Sequence, residues 1–152
     1  MQPLPTGITG FDSPEEGVSV ERFRSACQAA VRQAYGKLTQ VRAAHEHATT
    51  NFHEALVSLH DGKETVRVLC NAYFPIIAFT SPATREGDVR LRFLDCPELA
   101  RSLSSEFTVL SAQDAGAGVS PQVISQLGET ELAQLKYWKP QRIGDVVFNY
   151  WD

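Results

Sequence analysis

Three histidines lie close together in the chain: His45 and His47 flank Glu46, and His53 follows six residues later. Zinc is held where imidazole nitrogens converge from one helix face or one strand face, with further carboxylate or thiolate ligands. Histidines two apart on a helix diverge by about 200°, so His45 and His47 converge only where a helix has ended. Their spacing fits none of the established metal signatures. His45, His47 and His53 are the candidate ligands should a metal bind, but the expectation is no metal and no cofactor.

Cys96 is the next candidate. The string Asp95-Cys96-Pro97-Glu98 reads as a capping box with an early proline, and the start of a helix lowers a thiol pKa. A cysteine nucleophile also needs a base beside it. The sequence pairs none with Cys96, so a structural role is expected. Cys27 and Cys70 occupy apolar periodic positions and read as small core residues. Three cysteines without a tight pairing spacing argue against a disulfide framework and for a reducing compartment. Ala115-Gly116-Ala117-Gly118 lies where backbone amides can hold an anion. It lacks the third glycine of a dinucleotide fingerprint and the Lys-Ser/Thr of a P-loop, so it reads as a connection. No catalytic residue is assigned.

Binding chemistry is better represented. Arg90 and Arg92 alternate with Val89, Leu91 and Phe93, and Arg67 falls on the polar face of a neighbouring strand. Together they predict a basic stripe suited to carboxylate or phosphate. The C-terminal fifteen residues hold both tryptophans, Trp138 and Trp151, with Tyr137, Phe148 and Tyr150 nearby. Leu132, Leu135 and Trp138, then Ile143, Val146, Val147 and Tyr150, share helical spacing and read as core. Phe148 and Trp151 fall off that stripe. The candidate partner-binding residues are therefore Arg67, Arg90, Arg92, Phe148 and Trp151.

The elements that must position these groups follow from pattern. The 152 residues, 43% hydrophobic and 21% charged, suit one folded domain. Residues 1–18 read as an irregular lead-in and 19–152 as a single α+β domain. Ser19 caps a helix whose apolar stripe runs through Phe23, Cys27, Ala30, Val31, Leu38 and Val41, predicting helix to about residue 45. Strands are expected over 53–59 and 65–73 around an Asp61-Gly62 hairpin turn. Further strands follow at 76–80, 89–93 and 107–110. A short helix runs to Leu103, residues 112–118 form a loop, and helices start at Ser120, Thr130 and Ile143. Consecutive strands between helical ends point to a long N-terminal helix packed on an antiparallel sheet of four to five strands, with short helices in the C-terminal third.

A net charge of −4 lacks the concentrated positive field that nucleic acid needs, so nucleic acid is not the expected partner. No apolar run approaches a membrane span, and Met1–Gly7 carries no basic or apolar leader pattern, which predicts a cytoplasmic, bacterial-type protein. The expected function is non-enzymatic binding of another protein, in an immunity-type (toxin-neutralising) or regulatory role. The alternative is a small-molecule- or metal-binding domain, or a small enzyme, with a pocket between the sheet and the C-terminal helices. A third reading is a homo-oligomer joined by the C-terminal aromatics.

Overall fold

A computed structural model describes residues 2–46, 49–85 and 88–151. The Ser19 hydroxyl accepts the Arg22 amide at 3.1 Å, an N-cap contributing about 1 kcal/mol. Helix α1, Val20–Gln33, then turns Phe23, Ala26, Cys27, Ala30 and Val31 to one buried face. It stops well short of the expected residue 45. Tyr35 takes a left-handed φ of 56°, and the Gly36 amide donates to the Val31 carbonyl at 2.8 Å, a Schellman-type ending. A Cβ at Gly36 would lie 2.7 Å from the Ser58 carbonyl oxygen, so glycine is what lets the chain turn this close to the sheet.

The residues beyond form β1, Lys37–Arg42, where helix was expected. Leu38 and Val41 are three apart and imitate helical spacing. A bulge between Leu38 and Gln40 instead sets Leu38 opposite Val57 and Val41 opposite Ala55. The inserted residue restores both side chains to one face of the strand, where they pack on the α1 core.

β2, Phe52–Leu59, and β3, Glu64–Asn71, pair antiparallel along their full lengths, joined by a turn with Asp61 and Gly62 at φ 56° and 84°. β4, Ile76–Thr80, adds to β3. Two short strands share the other edge of β4: β5, Phe93–Leu94, antiparallel, and β6, Thr108–Val109, parallel. The architecture is α+β, a helix on a largely antiparallel sheet, as the pattern predicts. The expected strand over 89–93 shrinks to two residues, because residues 89–92 are irregular and the Ser81 N–H donates to the Arg92 carbonyl at 3.0 Å just before β5 begins.

Helix α2, Pro97–Leu103, starts after Cys96 rather than Asp95. The Asp95 carboxylate accepts the Ala112 amide at 2.9 Å instead, at the start of α3, Ala112–Gly116, which Ser111 caps where a loop was expected. Residues 121–126 are turns rather than the expected helix. Helices α4, Glu129–Trp138, and α5, Ile143–Val147, complete the chain. Among the described residues no helix is long and apolar enough to cross a membrane.

The sheet has a core on each face. On one, Val57, Val66, Val68, Cys70 and Phe79 meet α1 and α2. On the other, Phe52, Leu69 and Ala78 meet Leu4, Ile8, Leu135, Val146, Val147 and Phe148. The second core contains a polar seam. The Asn51 and Asn71 amides each donate to the carbonyls of Ile8 and Val147, at 2.9 and 2.8 Å respectively. Asn149 donates to the Thr9 and Val146 carbonyls at 3.0 and 3.1 Å. The segment before α1 and the last residues are thus bound side by side across one end of the sheet.

Glu131 is fully buried beneath this seam. Its carboxylate accepts the amides of Gly7 at 2.7 Å, Thr9 at 3.1 Å and Gly128 at 3.0 Å, and the Thr9 hydroxyl. A buried carboxylate is tolerated when its oxygens are hydrogen-bonded. Glu131 and Leu135 form the inward face of α4, whereas Leu132 and Trp138, expected inward, are 42% and 39% exposed.

Candidate functional site

The seam closes only one end of the second sheet face. Toward the hairpin, Leu56, Arg67 and Thr80 stand opposite one another on β2, β3 and β4. Here Arg42, Glu54, Leu56 and Arg67 border a cleft of about 750 Å³, walled by Pro82, Arg85, Asp88 and Val89 from the 81–92 loop and by Tyr150. The alternation of β2 and β3 dictates this: residues at even spacing from Phe52 and Leu69 share the second face.

Arg67 is buried in the floor. One guanidinium nitrogen donates to Glu54 Oε2 at 2.7 Å and to the Tyr150 hydroxyl at 3.0 Å, and the group stands 6.0 Å from the Phe52 ring centroid. Burial alone would lower its pKa, but Tyr150 and Glu54 reverse that and the net shift is upward. Arg67 therefore stays cationic and braces two cleft walls. The Thr80 hydroxyl, on the next strand, is buried without a hydrogen-bond partner among the described residues.

The other acid of the cleft is also occupied. The Asp88 carboxylate accepts from the Arg90 amide at 3.0 Å, the Thr84 hydroxyl at 3.0 Å and Arg92 at 3.2 Å, which hold it well below the usual carboxylate range. Arg42 and Arg85 have no carboxylate within ion-pair distance among the described residues. The Gln40 amide is assigned with its oxygen toward Arg42, the orientation that satisfies both of its ends, and it then accepts from Nη2 at 3.1 Å and Nε at 3.0 Å. Among the described residues, the cleft therefore presents guanidinium charge without an ion-pair partner, beside the apolar surface of Phe52, Leu56, Pro82 and Val89.

The partner-binding candidates separate. Arg67 lies in the cleft floor, while Arg92 ties the loop wall through Asp88 and Arg90 is exposed on that loop without lining the cleft. Phe148, expected to be exposed, is buried at 1% exposure. It packs edge-on against Phe52 at 6.0 Å and tilted against Phe93 at 6.3 Å, because α5 ends at Val147 and the chain turns its next side chain into the second core. Trp151 is half-buried and stacks on Trp138, with centroids 6.3 Å apart and planes at 4°. Tyr137 meets Trp138 edge-on at 5.1 Å. These rings make an aromatic shelf outside the cleft.

Among the described residues the histidines do not assemble into a metal-ligating group. His53 Nδ1 accepts the Ala44 amide at 3.0 Å, so Nε2 carries the proton and donates to the Val18 carbonyl at 2.6 Å. Both nitrogens are engaged by backbone, and ligation would break one bond. His45 is exposed, and His47 lies outside the described residues. The thiols are pushed away from reactivity: burial raises Cys27 to about 12, Cys96 to about 11, and Cys70 well above its ordinary value. At Cys96 burial outweighs the helix-start effect on which its candidacy rested.

Sequence reasoning missed Arg42, Glu54, Arg85 and Tyr150. The hairpin turn carried a signal for Glu54, since counting back from Asp61-Gly62 sets Leu56 opposite Arg67 and Glu54 diagonal to it. Comparison with protein-family models, curated proteins and solved structures finds no match to this chain.

Proposed function

We propose that this is a non-catalytic binding protein that recognises another protein through the cleft on the open half of its sheet, in an immunity-type (toxin-neutralising) or regulatory role. The observation that carries the reading is the braced floor: Arg67 is fixed by Glu54 and Tyr150, so the surface is shaped before a partner arrives. Preorganisation lowers the ordering cost of association. The aromatic shelf of Tyr137, Trp138 and Trp151 supplies residue types that dominate interface hot spots. A cytoplasmic setting suits three free, buried thiols. A small molecule in the same cleft is the second reading, favoured by a volume of about 750 Å³, within the range of ligand pockets.

A photo-crosslinking residue in place of Val89, which is exposed on the cleft wall, tests the first reading against the same residue in place of Tyr35, which is exposed on the turn after α1. A discrete protein adduct is expected from position 89 only. No adduct, or equal adducts from both positions, overturns it. A thermal-shift screen reports on the small-molecule reading.

A further inference from the structure

We propose that the cleft recognises an acidic segment of its protein partner, in which carboxylates adjoin an apolar side chain. This rests on the cleft being a partner surface and adds what the partner must present. The charge balance carries it. Among the described residues, both carboxylates that line the cleft are committed, Glu54 to Arg67 and Asp88 to Thr84, Arg90 and Arg92. Arg42 enters from the end of β1 and Arg85 from the 81–92 loop, so two guanidinium groups from separate elements border one volume. Neither has a carboxylate partner among the described residues.

Arg42 is the better defined of the two. The Gln40 oxygen holds its Nη2 and Nε edge, which orients the guanidinium plane and leaves its Nη1 side for a ligand oxygen. Guanidinium groups pair with carboxylates through such a planar fork. Phe52, Leu56, Pro82 and Val89 line the same cleft as the two cations, a surface for an apolar side chain rather than a second anion. The whole chain carries −4, so long-range attraction does not bring an acidic segment in. Recognition depends on short-range contact inside the cleft, where salt screens less than on open surface.

Arg67 positions rather than binds. Its charge is already satisfied, and its contacts hold Glu54 and the Tyr150 hydroxyl against the floor. Without that brace Glu54 would stand free beside Arg42, its cross-strand neighbour, and compete with the incoming carboxylate.

The test uses the full chain and a short labelled peptide alternating glutamate with phenylalanine, read by fluorescence anisotropy. The expected result is saturable binding, weakened about fivefold by Arg42→Gln or Arg85→Gln and at least about twentyfold by both, the scale of lost exposed charge pairs. Both variants should melt with the wild type, since neither side chain is in the core. The matching glutamine peptide should bind far more weakly. Equal binding of the two peptides, or binding unchanged in the double variant, overturns the inference. So does full displacement of the peptide by inorganic phosphate at low concentration, which would mark a site for small anions. Crosslinking from position 89 separates the two failures. An adduct that persists in the double variant leaves the partner surface standing and removes only the acidic segment. Loss of the adduct in the wild type removes both.

Discussion

Replacing Glu131 with alanine should unfold the region that joins the two ends of the chain. Four donors converge on this carboxylate: the amides of Gly7, Thr9 and Gly128 and the Thr9 hydroxyl. A hydrogen bond to a charged group contributes about 1.5–3 kcal/mol, but four on one group do not add, because the released 7–10 loop can reach water. The net loss should resemble that from stripping one partner from a buried ionic contact, about 3–5 kcal/mol. That is a large fraction of the roughly 5–15 kcal/mol that holds a domain folded. Glu131→Gln keeps one acceptor oxygen but turns an N–H₂ toward the remaining donors, so about half the loss is expected. Urea unfolding measures both. Hydrogen exchange locates the effect: the Gly7 and Thr9 amides should lose protection, while Val68, in the centre of β3, keeps its own. A loss below about 1 kcal/mol, or unchanged protection at Gly7 and Thr9, would refute the reasoning.

Two further outcomes follow from buried groups. Burial lowers the His53 pKa, more than the Val18 carbonyl and Glu21 raise it. The unfolded chain therefore takes up a proton first as pH falls below about 6.5, so stability is full above that pH and declines through the window beneath it, by at most about 1.4 kcal/mol per unit. Urea midpoints across that range should show the decline in the wild type and a smaller one in His53→Gln; a wild type that gains stability on acidification, with the gain lost in His53→Gln, would mean that burial does not hold His53 neutral. In α5, a Cβ on Gly144 would sit 2.3 Å from the Phe93 ring. Gly144→Ala should cost about 1–3 kcal/mol as an overpacked core, despite alanine's better helix propensity, and a raised melting temperature would show that Phe93 yields freely.

Local elements were legible where local chemistry decides them. The hairpin at Asp61-Gly62 and strand β4 follow from turn residues and from Pro75. β1 was hidden because its bulge gives Leu38 and Val41 a helix-like separation, and only pairing with β2 reveals a strand. In α4 the expected stripe Leu132, Leu135, Trp138 shares only Leu135 with the true inward face, which Glu131 completes. A carboxylate does not announce burial, because its partners Gly7 and Thr9 come from the far end of the sequence. The cleft was half legible for a similar reason. Arg67 was marked by strand alternation, whereas Tyr150 reaches it across the whole second face.

The polar seam and the cleft are mechanically linked at Asn149. Its side chain donates to the Thr9 and Val146 carbonyls and accepts the Trp151 amide at 3.2 Å, while its own amide donates to Asn51 Oδ1 at 2.8 Å. Tyr150 therefore sits between two pinned residues, and its hydroxyl is delivered to Arg67 by bonds made on the closed half of the sheet. Asn149→Ala removes the side-chain bonds but leaves its backbone bond to Asn51 and the 2.7 Å Arg67–Glu54 contact in place. The expected result has two parts: a stability loss of about 2–4 kcal/mol from carbonyls and an amide left unpaired, and weaker binding of the glutamate peptide at temperatures where the variant is still folded. Full binding by a folded Asn149→Ala protein would show that Tyr150 is placed by its packing on Phe52, with ring centroids 5.5 Å apart, and that the seam serves stability alone.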